Sequence, residues 1–247
     1  MTDLARLERS GLVATLLINR PDQHNALSLE LLDALAARLT ELESDAPPVL
    51  VVTGSGRSFC AGMDLKQVLA DTDTPRLLLE ALARITVRLR ALPSVVIASV
   101  NGAAIGGGCG LACVCDLAIS HADAKLGFPE VDLGLCPAVV APWVVRKIGA
   151  GPARRLLLEG GTISGARAHE LGLIDHLAPD RDSLANLTGE VAERIASGGP
   201  LALAATKNLL NELDHSLDST PVLRGAALSA SVLATEDAQS ALRARLK

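Results

Sequence analysis

The sequence predicts an α/β core that gives way to a helical C-terminal portion, and three observations predict it. Up to Pro137, short β-branched and aliphatic runs alternate with segments of helical spacing. Beyond Pro137, almost every segment has helical spacing alone. The chain is also apolar: 49% of its 247 residues are hydrophobic, yet Phe59, Phe128 and Trp143 are the only aromatic residues and there is no Tyr. The core must therefore be filled by Leu, Val, Ile and Ala. A chain of this length buries roughly 70–75% of its unfolded surface, enough for one compact unit with an appendage.

Leu12 to Asn19 reads as a strand that stops at the turn Arg20-Pro21-Asp22. Ser28 can cap a helix whose Leu31, Leu32, Leu35, Leu39 and Leu42 share one face. After Pro47-Pro48, Val49 to Thr53 is a fully buried strand with Gly54 to Arg57 as its exit loop. A helix over Pro75 to Ala91 leads to a second buried strand, Val95 to Val100. A loop from Asn101 to Gly106 follows, and a helix begins near Gly107. Leu117 to Ser120 is a further strand. Helices are then predicted over Ala138 to Ile148, Pro152 to Leu158, Gly165 to Leu171 and Asp182 to Ser197, and onward to the end of the chain. The expected division is a core over residues 1–190 and a helical region over 191–247.

Composition excludes several functions. With 23 basic and 28 acidic residues the formal charge is −5, which argues against nucleic-acid and anionic-membrane partners. The near absence of aromatic rings removes the usual stacking platform for single strands. Ala91 to Cys115 is a run of 25 uncharged residues, long enough to span a bilayer. Pro93, Asn101-Gly102 and Gly106-Gly107-Gly108 interrupt it, so it reads as buried strand, turn and helix. Met1 to Ser10 carries charges of both signs and no apolar signal core, so a cytoplasmic location is expected. Five cysteines (Cys60, Cys109, Cys113, Cys115, Cys136) cannot form a complete disulfide set. Their spacing contains no Cys-x-x-Cys pair, so core packing rather than metal binding is expected of them.

Gly54-Ser55-Gly56 has Phe59 where a dinucleotide loop needs its third glycine, and no phosphate loop or nucleophile elbow is present. Two glycine-rich segments follow buried strands: Ser58-Phe59-Cys60-Ala61-Gly62-Met63-Asp64-Leu65 and Asn101-Gly102-Ala103-Ala104-Ile105-Gly106-Gly107-Gly108-Cys109-Gly110. Either they expose backbone N–H groups to a ligand, as an oxyanion hole requires, or they only permit tight turns and close packing.

These two segments, with Leu126-Gly127-Phe128-Pro129-Glu130-Val131-Asp132-Leu133-Gly134-Leu135, resemble the crotonase (enoyl-CoA hydratase/isomerase) family. The resemblance starts at Asn19-Arg20-Pro21 and Asn25-Ala26-Leu27 and extends to Thr206-Lys207. It implies a β-β-α spiral core, a C-terminal helical region that builds homotrimers or dimers of trimers, and an acyl-CoA thioester substrate. No cofactor is implied beyond the CoA of the substrate itself, and no metal. Carried over by position, the amides of Ala61 and Gly107 would hold the thioester oxygen, and Ala61, Gly62, Met63 and Asp64 would line the CoA side. Arg243, Arg245 and Lys247 are candidate phosphate contacts.

In the family's two-carboxylate hydratases, one glutamate follows the glycine-rich segment and a second lies twenty positions later. Those positions here are Gly110 and Glu130, so one acid is present and one is missing. A lone glutamate can move a proton next to the thioester if burial brings its pKa toward the working pH. That pattern by itself favours a β,γ to α,β isomerase. The block from Gly106 to Leu111, with Phe128 to Val131 and Leu135 to Val145, is similar to methylglutaconyl-CoA-type hydratases that also have Gly at the first position. Hydration is therefore the first expectation, with Glu130, Ala61 and Gly107 as the catalytic set. Isomerisation, and CoA-ester binding without catalysis, are its alternatives. Asp116 and Asp132 are weak candidates to replace the missing acid. His24 is placed near the site, whereas His121, His169, His176 and His215 are expected at the surface.

Overall fold

The computed structural model describes residues 3–70 and 73–245. Two sheets are threaded together by a chain that visits each in turn. The larger has six strands: β1 (Ala5–Ser10), β2 (Val13–Ile18), β3 (Val49–Gly54), β5 (Val95–Val100), β7 (Leu117–His121) and β10 (His176–Ala178), in that spatial order. The smaller contains β4 (Ser58–Cys60), β6 (Ala103–Ile105), β8 (Lys125–Gly127) and β9 (Thr162–Ser164). Three times, a strand of the large sheet is followed within a few residues by one of the small sheet: β3 to β4, β5 to β6, β7 to β8. That repeat is the β-β-α spiral. Pairing is parallel except at the rims, where β1 joins β2 and β8 joins β9 antiparallel. Parallel strands need crossovers, and the helices supply them.

Helix α1 (Leu29–Ser44) starts where expected, with the Ser28 hydroxyl accepting from the Leu31 amide at 3.2 Å, and it buries Leu31, Leu32, Leu35, Leu39 and Leu42. The short α2 (Leu65–Val68) is capped by Asp64, and α3 (Thr74–Ala91) packs on α1. Gly107–Val114 forms α4, which is wholly buried, so the long uncharged run is strand and helix as read, with the short strand β6 in the stretch expected to be only a turn. No helix among the described residues is long and apolar enough to cross a membrane. Helices α5 (Ala141–Ile148), α6 (Ala150–Glu159) and α7 (Gly165–Glu170) follow. Then come α8 (Leu184–Ala196), α9 (Pro200–Leu213), α10 (Thr220–Leu233) and α11 (Glu236–Arg245).

The sequence reading needs two corrections here, and one expected boundary falls within a helix. The C-terminal portion is not purely helical, because β9 and β10 lie within it. Each is three residues long, too short to show a period-2 pattern. The boundary expected after residue 190 falls inside α8, whose Leu184, Ala192 and Ala196 pack with Val49, Val51, Ile97 and Ile119 of the large sheet. His121, expected at the surface, is buried at the end of β7; His169, His176 and His215 are exposed.

A buried ionic cluster ties α9 to the core. Lys207 reaches Asp116 at 2.9 Å and the Ser94 carbonyl at 2.8 Å, and Arg90 pairs with Asp116 at 3.2 Å and Asp214 at 3.0 Å. Asp116 also accepts from the Val96 amide. It is a structural anchor remote from the cavity described next.

Candidate active site

Tight local constraints position the first glycine-rich segment. Asn25 is fully buried, its Oδ1 accepting from the Arg20 amide at 2.8 Å and its Nδ2 donating to the Ser55 and Ser58 carbonyls at 3.0 and 2.8 Å. This clamp presents the adjacent His24 carbonyl to the Ala61 amide, which donates to it at 3.1 Å. Leu27 then bridges to Met63: its amide donates to the Gly62 carbonyl, and its carbonyl accepts from the Asp64 amide. Among the described residues, the Met63 amide donates to nothing. The Ala61 amide, expected as the oxyanion donor, is therefore engaged, and the free donor of this loop lies two residues on. Asp64 does not face a ligand either; its carboxylate caps α2 and pairs with Arg20 at 2.8 Å. His24 acts through its carbonyl, and its side chain is exposed.

Gly62 has φ +85°, and a Cβ there would lie 2.8 Å from the Ile105 carbonyl oxygen and 3.8 Å from the Gly107 nitrogen. The loop can approach α4 this closely because it has no side chain at that point. Gly107 opens α4, so its amide has no intrahelical acceptor and carries the positive end of the helix dipole. The Met63 and Gly107 amides thus flank one space.

Glu130 closes that space. It precedes a 3₁₀ turn at Val131–Leu133, and its carboxylate lies against Gly106, where a Cβ would sit 2.7 Å from Oε1. With φ +53°, Gly106 is doubly constrained to glycine. Glu130 Oε2 is buried without a hydrogen-bond partner. Desolvation raises its carboxyl from the ordinary 4.5 to about 7, helped by the Asp132 charge and opposed by its own backbone amide. Asp132 itself is held by the Gly161 amide at 2.8 Å.

One cavity brings these groups together: Met63, Gly107 and Glu130 share it with Leu79, Leu82, Leu135, Cys136, Pro137, Val139, Val140, Ser229 and Leu233. Glu130 is the sole carboxylate in this lining. Burial raises the pKa of the Cys136 thiol, with Glu130 adding to the effect. The Ser229 hydroxyl donates to the Cys136 carbonyl at 2.7 Å and accepts from the Ala138 amide at 3.1 Å, fixing the wall. Sequence reasoning named Met63 only as a CoA-side residue and missed Leu82, Val140 and Ser229. Leu82 and Ser229 lie on helices distant in sequence, and only the fold brings them here.

The family model of the enoyl-CoA hydratases/isomerases matches residues 8–244 of this chain. The chain belongs to the enoyl-CoA hydratase/isomerase family. Among its relatives in that family, the 2,3-dehydroadipyl-CoA hydratase of Escherichia coli (strain K12) is 32% identical over 243 residues, covering 98% of this chain and 94% of the relative. The short-chain-enoyl-CoA hydratase of Clostridium acetobutylicum is 32% identical over 243 residues, covering 96% and 92%. The crystal structure of an enoyl-CoA hydratase/isomerase from Mycobacterium paratuberculosis superposes with a TM-score of 0.87 at 29% identity, covering 99% of each chain. The spiral described above is therefore the crotonase fold of this family of enzymes. Of the CoA-contact candidates, Arg243 borders a wider cavity between α3 and α10–α11 that shares Leu233 with the cavity holding Glu130. Lys247 and the Arg245 side chain lie outside the described residues. No group of three or more candidate metal ligands occurs among the described residues.

Proposed function

We propose that this chain hydrates an α,β-enoyl-CoA thioester with Glu130 as its sole acid–base, and with the Met63 and Gly107 amides, rather than Ala61 and Gly107, as the oxyanion donors. The observation that carries this reading is the unpartnered Glu130 Oε2, held near neutral pKa beside two free amides in an apolar cavity. The names of the full-length relatives support the direction toward water addition.

The ionised carboxylate takes a proton from water as the hydroxyl oxygen bonds to the β-carbon. The π electrons move to the thioester oxygen, where the two amides receive the charge. Glu130, now protonated, returns that proton to the α-carbon, so one molecule of water is added and the carboxylate is regenerated. Each preorganised donor supplies about 2.7–4 kcal/mol at the transition state. A carboxyl near pKa 7 populates both protonation states at neutral pH, as a group that is base and then acid requires.

Gly110 favours a second reading, a β,γ to α,β isomerase. Val140 fills the space beside that glycine, so Gly110 contributes no acid to orient water, and a double-bond shift needs only one proton shuttle. With crotonyl-CoA, hydration shows as loss of enoyl-thioester absorbance; with 3-butenoyl-CoA, isomerisation shows as its gain. No change with either substrate, together with tight binding of both, would leave the CoA-ester-binding alternative.

The substrate-binding set then becomes Met63 and Gly107 at the oxygen, with Ala61 and Gly62 as the backbone that holds them. Assembly into a homotrimer or dimer of trimers is also part of the proposal. It is supported by α9, which exposes Leu201, Leu209, Leu210 and Leu213 at 88%, 54%, 55% and 68%, more apolar surface than a lone helix face normally leaves in water. Sedimentation equilibrium measures it directly.

A further inference from the structure

Gly107 and Gly110 stand one turn apart on α4, so they share a face, and that face looks onto the cavity and its wall. A Cβ on Gly110 would fall inside the radius of Val140 Cγ1 and 2.7 Å from Val140 Cβ. The isopropyl group thus rests on bare helix backbone while also lining the cavity beside Gly107 and Glu130. Val140 is 2% exposed and cannot easily turn away. Its carbonyl accepts from the Trp143 and Val144 amides at 3.0 and 3.1 Å, the next amide, Ala141, donates to Pro137 at 3.0 Å, and a β-branched side chain has few rotamers to offer. From behind, Ser229 pins the Cys136–Ala138 backbone, and Gly225 of α10 lets the Ala138 carbonyl sit directly against that helix.

A wall so fixed cannot adapt to a wider ligand. We propose that Val140, seated on Gly110, is the specificity-determining residue that sets the width of the acyl site next to Glu130, admitting linear acyl groups and rejecting those with a methyl branch at the β-carbon, which sets this chain apart from the methylglutaconyl-CoA-type hydratases it resembles around Gly110, whose substrate carries that branch. The inference rests on the acyl-CoA reading above, and its test uses saturated thioesters that cannot react, so that binding and turnover are read separately.

Calorimetric titration of the full-length protein with butyryl-CoA and isovaleryl-CoA gives the selectivity. The expected result is at least a tenfold preference for butyryl-CoA, within the roughly 10–200-fold that one methylene is worth in a close-fitting pocket. Val140→Ala should shrink that preference about tenfold. Gly110→Ala, whose new methyl must push Val140 into the cavity, should widen it, and Gly110→Ala with Val140→Ala together should return it toward the native ratio. Equal binding of the two thioesters by the native protein overturns the proposal even if no variant folds, and so does a ratio unchanged by Val140→Ala. Should neither thioester bind, the acyl-CoA reading fails and takes this proposal with it. If both bind with the expected ratio but crotonyl-CoA and 3-butenoyl-CoA are inert, only the catalytic reading fails.

Discussion

Replacing Glu130 by Gln should stabilise the protein at alkaline pH, although the same change removes its proposed acid–base. The carboxyl is raised from 4.5 to about 7 because ionising it in the apolar cavity is unfavourable, a difference worth about 3 kcal/mol. Between those two pKa values the folded chain holds a proton that the unfolded chain has lost. This contribution to stability is therefore present at low pH, falls as pH rises through about 7, and is gone above it. Gln carries no charge and shows no such fall. Between about pH 5 and pH 8.5 the variant should gain about 2.5 kcal/mol on the native protein, since the unfolded chain is already mostly ionised at pH 5 and about 0.8 kcal/mol of the effect lies below that pH. Urea unfolding of both proteins at matched concentration across that range measures the difference, and all other titrating groups cancel in it. A stability difference that stays constant with pH would refute the claim that burial holds Glu130 near neutrality.

Three further outcomes follow from the same geometry. Gly107→Pro deletes the amide at the first position of α4, where proline is otherwise tolerated; steady-state kinetics should show kcat down by about 10²–10³-fold, and a folded variant within tenfold of native would remove that amide from the oxyanion hole. Asn25→Ala breaks three hydrogen bonds of a buried side chain; denaturant unfolding should show a loss of about 3 kcal/mol, and under 1 kcal/mol would mean the loop is held elsewhere. Gly110→Glu alone should gain no crotonyl-CoA hydration and should lose about 3 kcal/mol or more to overpacking against Val140, whereas pairing it with Val140→Gly opens room for the carboxylate; a gain in the single variant would show that Val140 yields.

The long buried strands were legible because they are continuous aliphatic runs bounded by Pro and Gly. Helix α1 was legible because its five leucines repeat at helical spacing behind a serine cap. The three-residue strands β4, β6, β8, β9 and β10 were not, since the chain is held there by pairing between distant segments rather than by any local pattern. At the site, Glu130 and Gly107 were pointed to by the resemblance to the family rather than by any local pattern. The choice between the Ala61 and Met63 amides could not be read in the sequence, because it depends on the His24 carbonyl, thirty-odd residues upstream, taking one of them out of use. Asp64 looked like a ligand residue in its motif, and only its pairing with Arg20 shows it to be a brace. Val140 was visible as one valine in an apolar run, and its meaning comes from a glycine thirty positions earlier that has no side chain to resist it.

The most direct measurement is the rate of enoyl-thioester absorbance loss with crotonyl-CoA, for the native protein and Glu130→Gln side by side, with butyryl-CoA binding confirming an intact site. Turnover by the native protein, with a loss of about 10³-fold or more in kcat and little change in butyryl-CoA affinity for the variant, is what a sole acid–base at Glu130 predicts. Retention of native kcat by a Glu130→Gln protein that still binds butyryl-CoA would contradict it.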